Sequence, residues 1–283
     1  IERWWTPRSL EFLCGLKAGI DRQDKPNGPA ADLLKIAFCR TLIKLSNAAF
    51  NHQSMSFKSA DPQLDLDIDR TAIFRSELAH VLAGASEKMS GTADVVLHDA
   101  RKLEAERLGK FDLVITSPPY VNRMSYIREL RPYMYWLGYL QEAREAGELD
   151  WKAIGGTWGV ATSRLNDWAA ETTFKNAHLS DVISAIENEE NKNGALLANY
   201  VGKYFDDIFT HFVSLSGVLN SGARAHYIIG NSTFYGTLVK VEEIYRDIMK
   251  MTGFSDIQIT PIRKRNSKKE LIEFKVSATF KGR

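Results

Sequence analysis

Apolar positions in the first third of the chain recur at helical spacing. Leu10, Leu13, Leu16 and Ile20 fall three or four residues apart, and Pro7 or Ser9 can open the run, which predicts a first helix. Residues 24–29 are a polar turn. Asp32 can cap a second helix carrying Leu33, Ile36, Ala37, Arg40, Ile43 and Ala49. Residues 54–69 are polar and read as a loop with a solvated acidic tip (Asp61, Asp65, Asp67, Asp69). A third helix is predicted over 71–88, ending before Gly91. Trp4 and Trp5 read as packing anchors, with base stacking as the alternative. Residues 1–92 are thus a helical region.

From residue 93 the pattern changes. A short β-rich run over 93–99 closes in Asp99, and 101–108 is a short helix or turn. Phe111, Asp112, Leu113, Val114 and Ile115 read as a buried strand of a parallel sheet. That strand stops abruptly at Thr116-Ser117-Pro118-Pro119-Tyr120. Residues 121–140 are rich in tyrosine, with Arg123, Arg128 and Arg131 interleaved; 133–140 reads as core-facing. Residues 141–198 break the rhythm with a Gly155-Gly156-Thr157-Trp158-Gly159 turn and an acidic run at 187–190, and are expected to be an insertion. The α/β rhythm then resumes: a helix over 199–219 with Tyr204, Phe205, Ile208, Phe209, Phe212 and Leu215 on one side, a turn at 217–222, a strand over 223–230, and a helix over 238–251 closed by Gly253. Two strands, 254–262 and 271–280, flank a basic tip that begins Arg263-Lys264-Arg265. The fold class is therefore α/β. Its core is residues 93–140 and 199–283, and the N-terminal region is helical.

Composition adds a few limits. The chain has 283 residues and a net charge of +2, so bulk charge alone does not announce a nucleic-acid binder. Cys14 and Cys39, the two cysteines, lie in helical patterns and imply neither a disulfide framework nor a metal cluster; a reducing cytoplasmic setting is expected. No apolar run is long enough to span a bilayer and no signal peptide is visible. The first residue is Ile1, which leads us to expect a trimmed start or one piece of a longer or divided protein.

The chemistry concentrates at residues 116–120. A loop at the carboxyl end of a parallel strand lies where open α/β sheets bind ligands. Each proline fixes its own φ and biases the residue before it, so the carbonyls around Ser117 and Pro118 point in set directions. Pro118 and Pro119 carry no N–H, and Tyr120 adds a flat aromatic face. A ring with an exocyclic amine suits this corner: its face on Tyr120, its N–H groups toward the acceptors. Arg123 and Arg128, and the basic tip with Arg263, Lys264 and Arg265, are candidate DNA-backbone contacts, a solvated turn being the bland alternative for the tip.

The TSPPY motif resembles the catalytic loop of the S-adenosylmethionine-dependent amino-methyltransferases of nucleic acid, and with Ser first and Tyr last it looks most like the N4-cytosine DNA methyltransferases. The resemblance covers residues 93–280 and implies a Rossmann-like sheet with a reversed final hairpin. It implies Ser117, Pro118, Pro119 and Tyr120 as catalytic residues, and Asp99, Ala100, Thr116 and Ser117 near S-adenosylmethionine. An Asp at a strand end is, by itself, equally a helix cap. The resemblance further implies that the 141–198 insertion helps choose the DNA sequence, and that the protein serves a restriction–modification system.

One part of the family pattern is missing. A strand followed by a glycine-rich turn should bind the cofactor, and Phe12-Leu13-Cys14-Gly15 is the nearest candidate, yet it sits in a helical pattern. Without that strand the sheet lacks its middle. We expect the glycine loop and its strands to come from a separate partner subunit or from an upstream stretch of the same polypeptide, with a large apolar interface. Adenine-N6 methylation, methylation of an RNA base amine, and a non-catalytic DNA-recognition subunit of a heterodimer are the competing readings.

Overall fold

The computed structural model describes residues 3–22, 28–49, 56–57, 67–122, 124–157, 159–189, 193–265 and 270–282. Arg123, Trp158, most of the 54–69 loop, and residues 266–269 of the basic tip lie outside the described residues. The chain divides into two compact units, Ile1–Asp94 and Val95–Arg283.

The first unit is helical, as its spacing predicts. Helix α1 (Pro7–Asp21) opens at Pro7, where a missing N–H costs nothing, and the Thr6 side chain caps it by accepting from Ser9 N–H. Helix α2 (Pro29–Lys44) starts three residues before the expected Asp32 cap, because Pro29 can again occupy the first turn behind Gly28; Asp32 lies inside that turn. It stops at Lys44, short of Ala49, which pairs instead in a two-residue strand β1 (Ala48–Ala49) against β2 (Ser56–Phe57). Helix α3 (Arg70–Ala85) is capped by Asp69, a residue assigned from sequence to the solvated tip; its carboxylate accepts from Ala72 N–H. Trp5 is buried and donates to the Leu42 carbonyl, while Trp4 stacks on it, so both pack. Glu77 of α3 is buried between Arg40 and Lys44 of α2, and the Lys44 ammonium, then Arg40, hold its carboxyl below the usual range.

The second unit is α/β. The run 93–99 forms no strand: Val95 and Leu97 are fully exposed. A strand needs a paired neighbour, and none is present for it among the described residues. After a one-turn helix α4 (Ala105–Leu108), β3 (Phe111–Thr116) pairs parallel with β4 (Leu219–Gly230). The long crossover between them carries α5 (Tyr126–Trp136), α6 (Ala143–Lys152), α7 (Val160–Arg164), a 3₁₀ turn, α8 (Ala177–Glu187) and α9 (Gly194–Ser216). A small hairpin, β5 (Ser232–Phe234) with β6 (Thr237–Val239), precedes α10 (Val241–Met251), which begins three residues later than its pattern predicts because Leu238 and Val239 pair in β6. The last strands, β7 (Phe254–Lys264) and β8 (Ile272–Phe280), are an antiparallel hairpin, and β8 inserts between β7 and β4. The order β3-β4-β8-β7, parallel then reversed, is the Rossmann-like sheet that the resemblance implies.

One sheet face is covered. Ala225, Tyr227 and Ile229 of β4 lie beside Ala278, Val276 and Phe274 of β8, all buried. The helix α9 brings Tyr204, Phe205, Ile208, Phe212 and Leu215 to that core, and α10 brings Val241, Ile244, Tyr245, Ile248 and Met249, at the 3,4 spacing of one apolar stripe. Each such side chain contributes roughly 1.5–3 kcal/mol on burial. Leu165, Leu179, Val182 and Ile186 join the same core, so the 141–198 segment packs as part of this unit. Residues 133–140 are less buried than their aromatic stripe predicts: Tyr139 is exposed, and only Leu140 among them is buried.

Candidate active site

The site grows from the end of β3. Register places Thr116 beside Tyr227 of β4, and the chain then leaves the sheet as Ser117-Pro118-Pro119-Tyr120. The corner is held from several directions. Ser117 Oγ donates to the Ile228 carbonyl at 3.1 Å. The Tyr120 phenol also lies within hydrogen-bond reach of this hydroxyl, and the serine side chain is exposed, so it keeps lone-pair capacity toward solvent. The Pro119 carbonyl accepts from Tyr204 Oη at 2.8 Å, and Tyr204 meets Tyr245 Oη at 3.0 Å. Burial raises the ionisation of both phenols well above the ordinary range, so both stay neutral. The Pro119 carbonyl thus spends one lone pair on Tyr204, and Ser117 Oγ and the Pro118 carbonyl are further acceptors of the corner.

Below the loop, the sequence Gly155-Gly156 has a steric reason. A Cβ at Gly156 would stand 1.7 Å from the Asp150 carbonyl oxygen, and one at Gly155, where φ is +75°, would come within 3.7 Å of Pro119 Cβ. Asp150 in turn pairs with the Ser125 hydroxyl, which accepts from Arg128 N–H at 3.0 Å and so caps α5. These links fix where the chain goes after Tyr120.

Tyr120 is tied to the final hairpin. Its hydroxyl donates to Glu273 Oε1 at 2.7 Å, and Arg263 Nε donates to Glu273 Oε2 at 2.6 Å. The Arg263 guanidinium, then Tyr120, lower the Glu273 carboxyl below its usual range; burial, then this carboxylate, raises the Tyr120 phenol. Arg265 lies over the Tyr120 ring, 5.0 Å from its centroid, and donates to the Asn231 carbonyl at 2.8 Å. Gly230 leaves that space: a Cβ there would be 2.3 Å from Arg265 Nη1 and 3.1 Å from Tyr120 Cδ2. Asn231 fastens the strand end to the hairpin by donating to the Glu270 carbonyl and accepting from Ile272 N–H.

The residues assigned from sequence thus divide. Ser117, Pro118, Pro119 and Tyr120 form one corner, with Thr116 at its base. Arg263 reaches the same corner from β7, and Arg265, the residue after that strand, is turned inward onto Tyr120; Lys264 is exposed. Arg128 sits in the first turn of α5, half-buried. Asp99 takes three hydrogen bonds from Arg101, through N–H, Nε and Nη2, and Arg101 also donates to Asp207, which holds Lys203. That guanidinium lowers the Asp99 carboxyl. The Ala100 carbonyl accepts from His211 Nδ1 at 2.8 Å. A carbonyl only accepts, so the proton is on Nδ1 and Nε2 faces the Tyr227 hydroxyl at 2.6 Å. Tyr204, Glu273, Asn231 and Arg101 escaped the sequence reading. The signal for Tyr204 was present, a hydroxyl within an apolar stripe; Glu273 had only the oddity of an acid within a largely apolar strand.

Asp99, Ala100 and Thr116 offer polar groups, but Asp99 spends much of its capacity on Arg101, and no glycine-rich turn follows a strand among the described residues. Strand β3 has no described partner beyond β4, and Leu113 and Ile115, which alternate with the core-facing Val114, are exposed; Ile115 keeps 72% of its surface. No helix among the described residues is long and apolar enough to cross a membrane.

Compared with known proteins, the chain is similar to the type II methyltransferase M.BsoBI of Geobacillus stearothermophilus, 25% identical over 173 residues. The similarity covers 55% of this chain and 33% of that protein, so it spans about a third of the relative's length. No protein-family model and no solved structure matches the chain.

Proposed function

We propose that this chain carries the catalytic corner of a DNA methyltransferase that moves the methyl group of S-adenosylmethionine to the exocyclic N4 amine of cytosine, within a restriction–modification system. The observation that carries the reading is the state of the corner's acceptors. Ser117 Oγ gives its proton to the Ile228 carbonyl and Pro119 is engaged by Tyr204, so Ser117 and Pro118 are left to accept from an amine. The likeness to a type II methyltransferase supports the same class.

An aromatic amine is a weak nucleophile because its lone pair is delocalised into the ring. Two N–H groups donating to Ser117 Oγ and the Pro118 carbonyl would favour a tetrahedral nitrogen, with its lone pair free and aimed. Fixed dipoles that need no reorganisation supply this. The bound cofactor would supply the methyl group; Thr116 and Ser117 would border it, with Asp99 and Ala100 farther along the same wall. The base must leave the duplex to reach the corner, and Tyr120 would support its face. The surplus amine proton leaves to water, since a serine hydroxyl is a poor base at neutral pH. Lys264 and Arg128 are the phosphate contacts of this reading.

The glycine-rich loop and its strands come, on this reading, from a second polypeptide segment that pairs with β3. Its support is the exposed apolar edge of that strand and the exposed Val95–Leu97 run. The test is methyl transfer from labelled S-adenosylmethionine to duplex DNA, with the products hydrolysed and the modified base identified. N4-methylcytosine is expected; N6-methyladenine would move the reading to the adenine enzymes. Ser117→Ala with Tyr120→Ala should abolish transfer and leave DNA binding. Undiminished transfer by that double variant would sink the catalytic role.

A further inference from the structure

We propose that Glu273 is a positioning residue for the target base: it sets the tilt of the Tyr120 ring through the phenolic hydroxyl and makes that ring face electron-rich. The inference rests on the methyl-transfer reading above.

A tyrosine ring on a fixed backbone keeps two freedoms, the swing at χ1 and the spin at χ2. The hydroxyl lies on the spin axis, so a bond to it fixes the swing. Glu273 Oε1 makes that bond at 2.7 Å, from a strand 153 residues away in sequence. Spin is limited differently, by Arg265 over the ring face, in the space that the missing side chain of Gly230 leaves. Glu273 is itself held: it is 8% exposed, lies opposite Gly230 in the β4–β8 ladder, and its other oxygen accepts from Arg263. Glu273 and Arg265, both outside the motif, thus act on Tyr120 beside the Ser117 hydroxyl within it.

The choice of a carboxylate matters. A neutral acceptor would also satisfy a phenol, whereas an ionised one makes a shorter, stronger bond and draws the phenolic proton toward itself. The ring face then becomes more negative, as the guanidinium on it requires. An amine that accepts a methyl cation equivalent acquires positive charge, and an electron-rich face beside the base favours that state over the ground state.

The test is a double-mutant cycle of Glu273→Gln and Tyr120→Phe in the enzyme with both segments present. Gln keeps size and an acceptor and removes the charge; Phe removes the hydroxyl. Each single variant should lower kcat roughly 10- to 100-fold with little change in KM for S-adenosylmethionine, and the double variant should be no slower than the worse single. In the full chain labelled with ¹³Cζ-tyrosine, Glu273→Gln should shift the Tyr120 signal, assigned by its loss in Tyr120→Phe, and leave the other tyrosine signals in place. An unmoved Tyr120 signal, an unchanged kcat, or losses that multiply in full would overturn the role while leaving methyl transfer intact. A wild-type enzyme that transfers no methyl group to any DNA overturns the methyl-transfer reading and this role with it.

Discussion

At the scale of residues, the polar atoms of the corner have partners outside the loop. Tyr204 shows this best. Its hydroxyl donates to Pro119 from a fully buried position and touches the Tyr245 hydroxyl. Tyr204→Phe keeps the ring and deletes the donor, leaving a carbonyl of the motif loop unsatisfied. The expected cost is about 1–3 kcal/mol of stability, read in a urea melt, together with a fall in kcat because the Pro119 peptide is free to reorient. Reduced stability with unchanged kcat would show that Tyr204 only packs. The motif itself was legible in sequence, since proline chemistry is local. Its supports were not: Tyr204, Asn231 and Glu273 act across 85, 34 and 153 residues respectively, in the bonds to Pro119, Arg265 and Tyr120. No periodicity encodes such pairings. Arg265 was placed correctly in the basic tip as a charge, but its inward turn onto Tyr120 depends on Gly230, whose role emerges only when the strands are in register.

At the scale of elements, strands and long helices followed their patterns, and the differences have common causes. Helix α2 began early because proline at the first turn is as good an opening as an acidic cap. The β-rich run ending in Asp99 failed because strand propensity describes fitness for a neighbour and none is at hand. Strand β3 is the informative case. Its alternation was hidden by a nearly continuous apolar run, which reads as burial on both sides. Only half of that burial is realised: Val114 packs on the core, while Leu113 and Ile115 face outward. Asp112, the charged residue of this strand, lies on the alternate face, and Leu113 and Ile115 leave apolar surface uncovered at the end of the sheet. Ile115→Lys tests this. In the chain alone the change should move stability by no more than about 0.5 kcal/mol, because the side chain is already exposed. With the second segment present it should prevent association, read by co-sedimentation, and abolish methyl transfer. Association and transfer at wild-type levels would mean that the edge is not the joining surface.

At the scale of the whole molecule, the decisive property is an imbalance. The second unit has a parallel strand pair, a reversed hairpin and helices on one sheet face, yet the loop at residues 117–120 follows the strand at the end of the described sheet. A ligand site at a strand end needs walls from the strands on both sides. Here Tyr120 is tied to Glu273 of the hairpin, and Asp99 is hydrogen-bonded to Arg101. The amine-orienting half of the reaction and the cofactor-holding half would then belong to different segments. This separation predicts a clear calorimetric result. Titrating the chain alone with S-adenosylmethionine should give no binding heat in the micromolar range, and adding the glycine-loop segment should restore binding. Once joined, Ser117→Ala should leave cofactor affinity within a few fold while removing catalysis, because Ser117 addresses the amine. Tight binding by the chain alone would contradict the division. It would mean that Asp99, Ala100 and Thr116 hold the cofactor without a glycine-rich turn, and that the open edge of β3 serves another purpose.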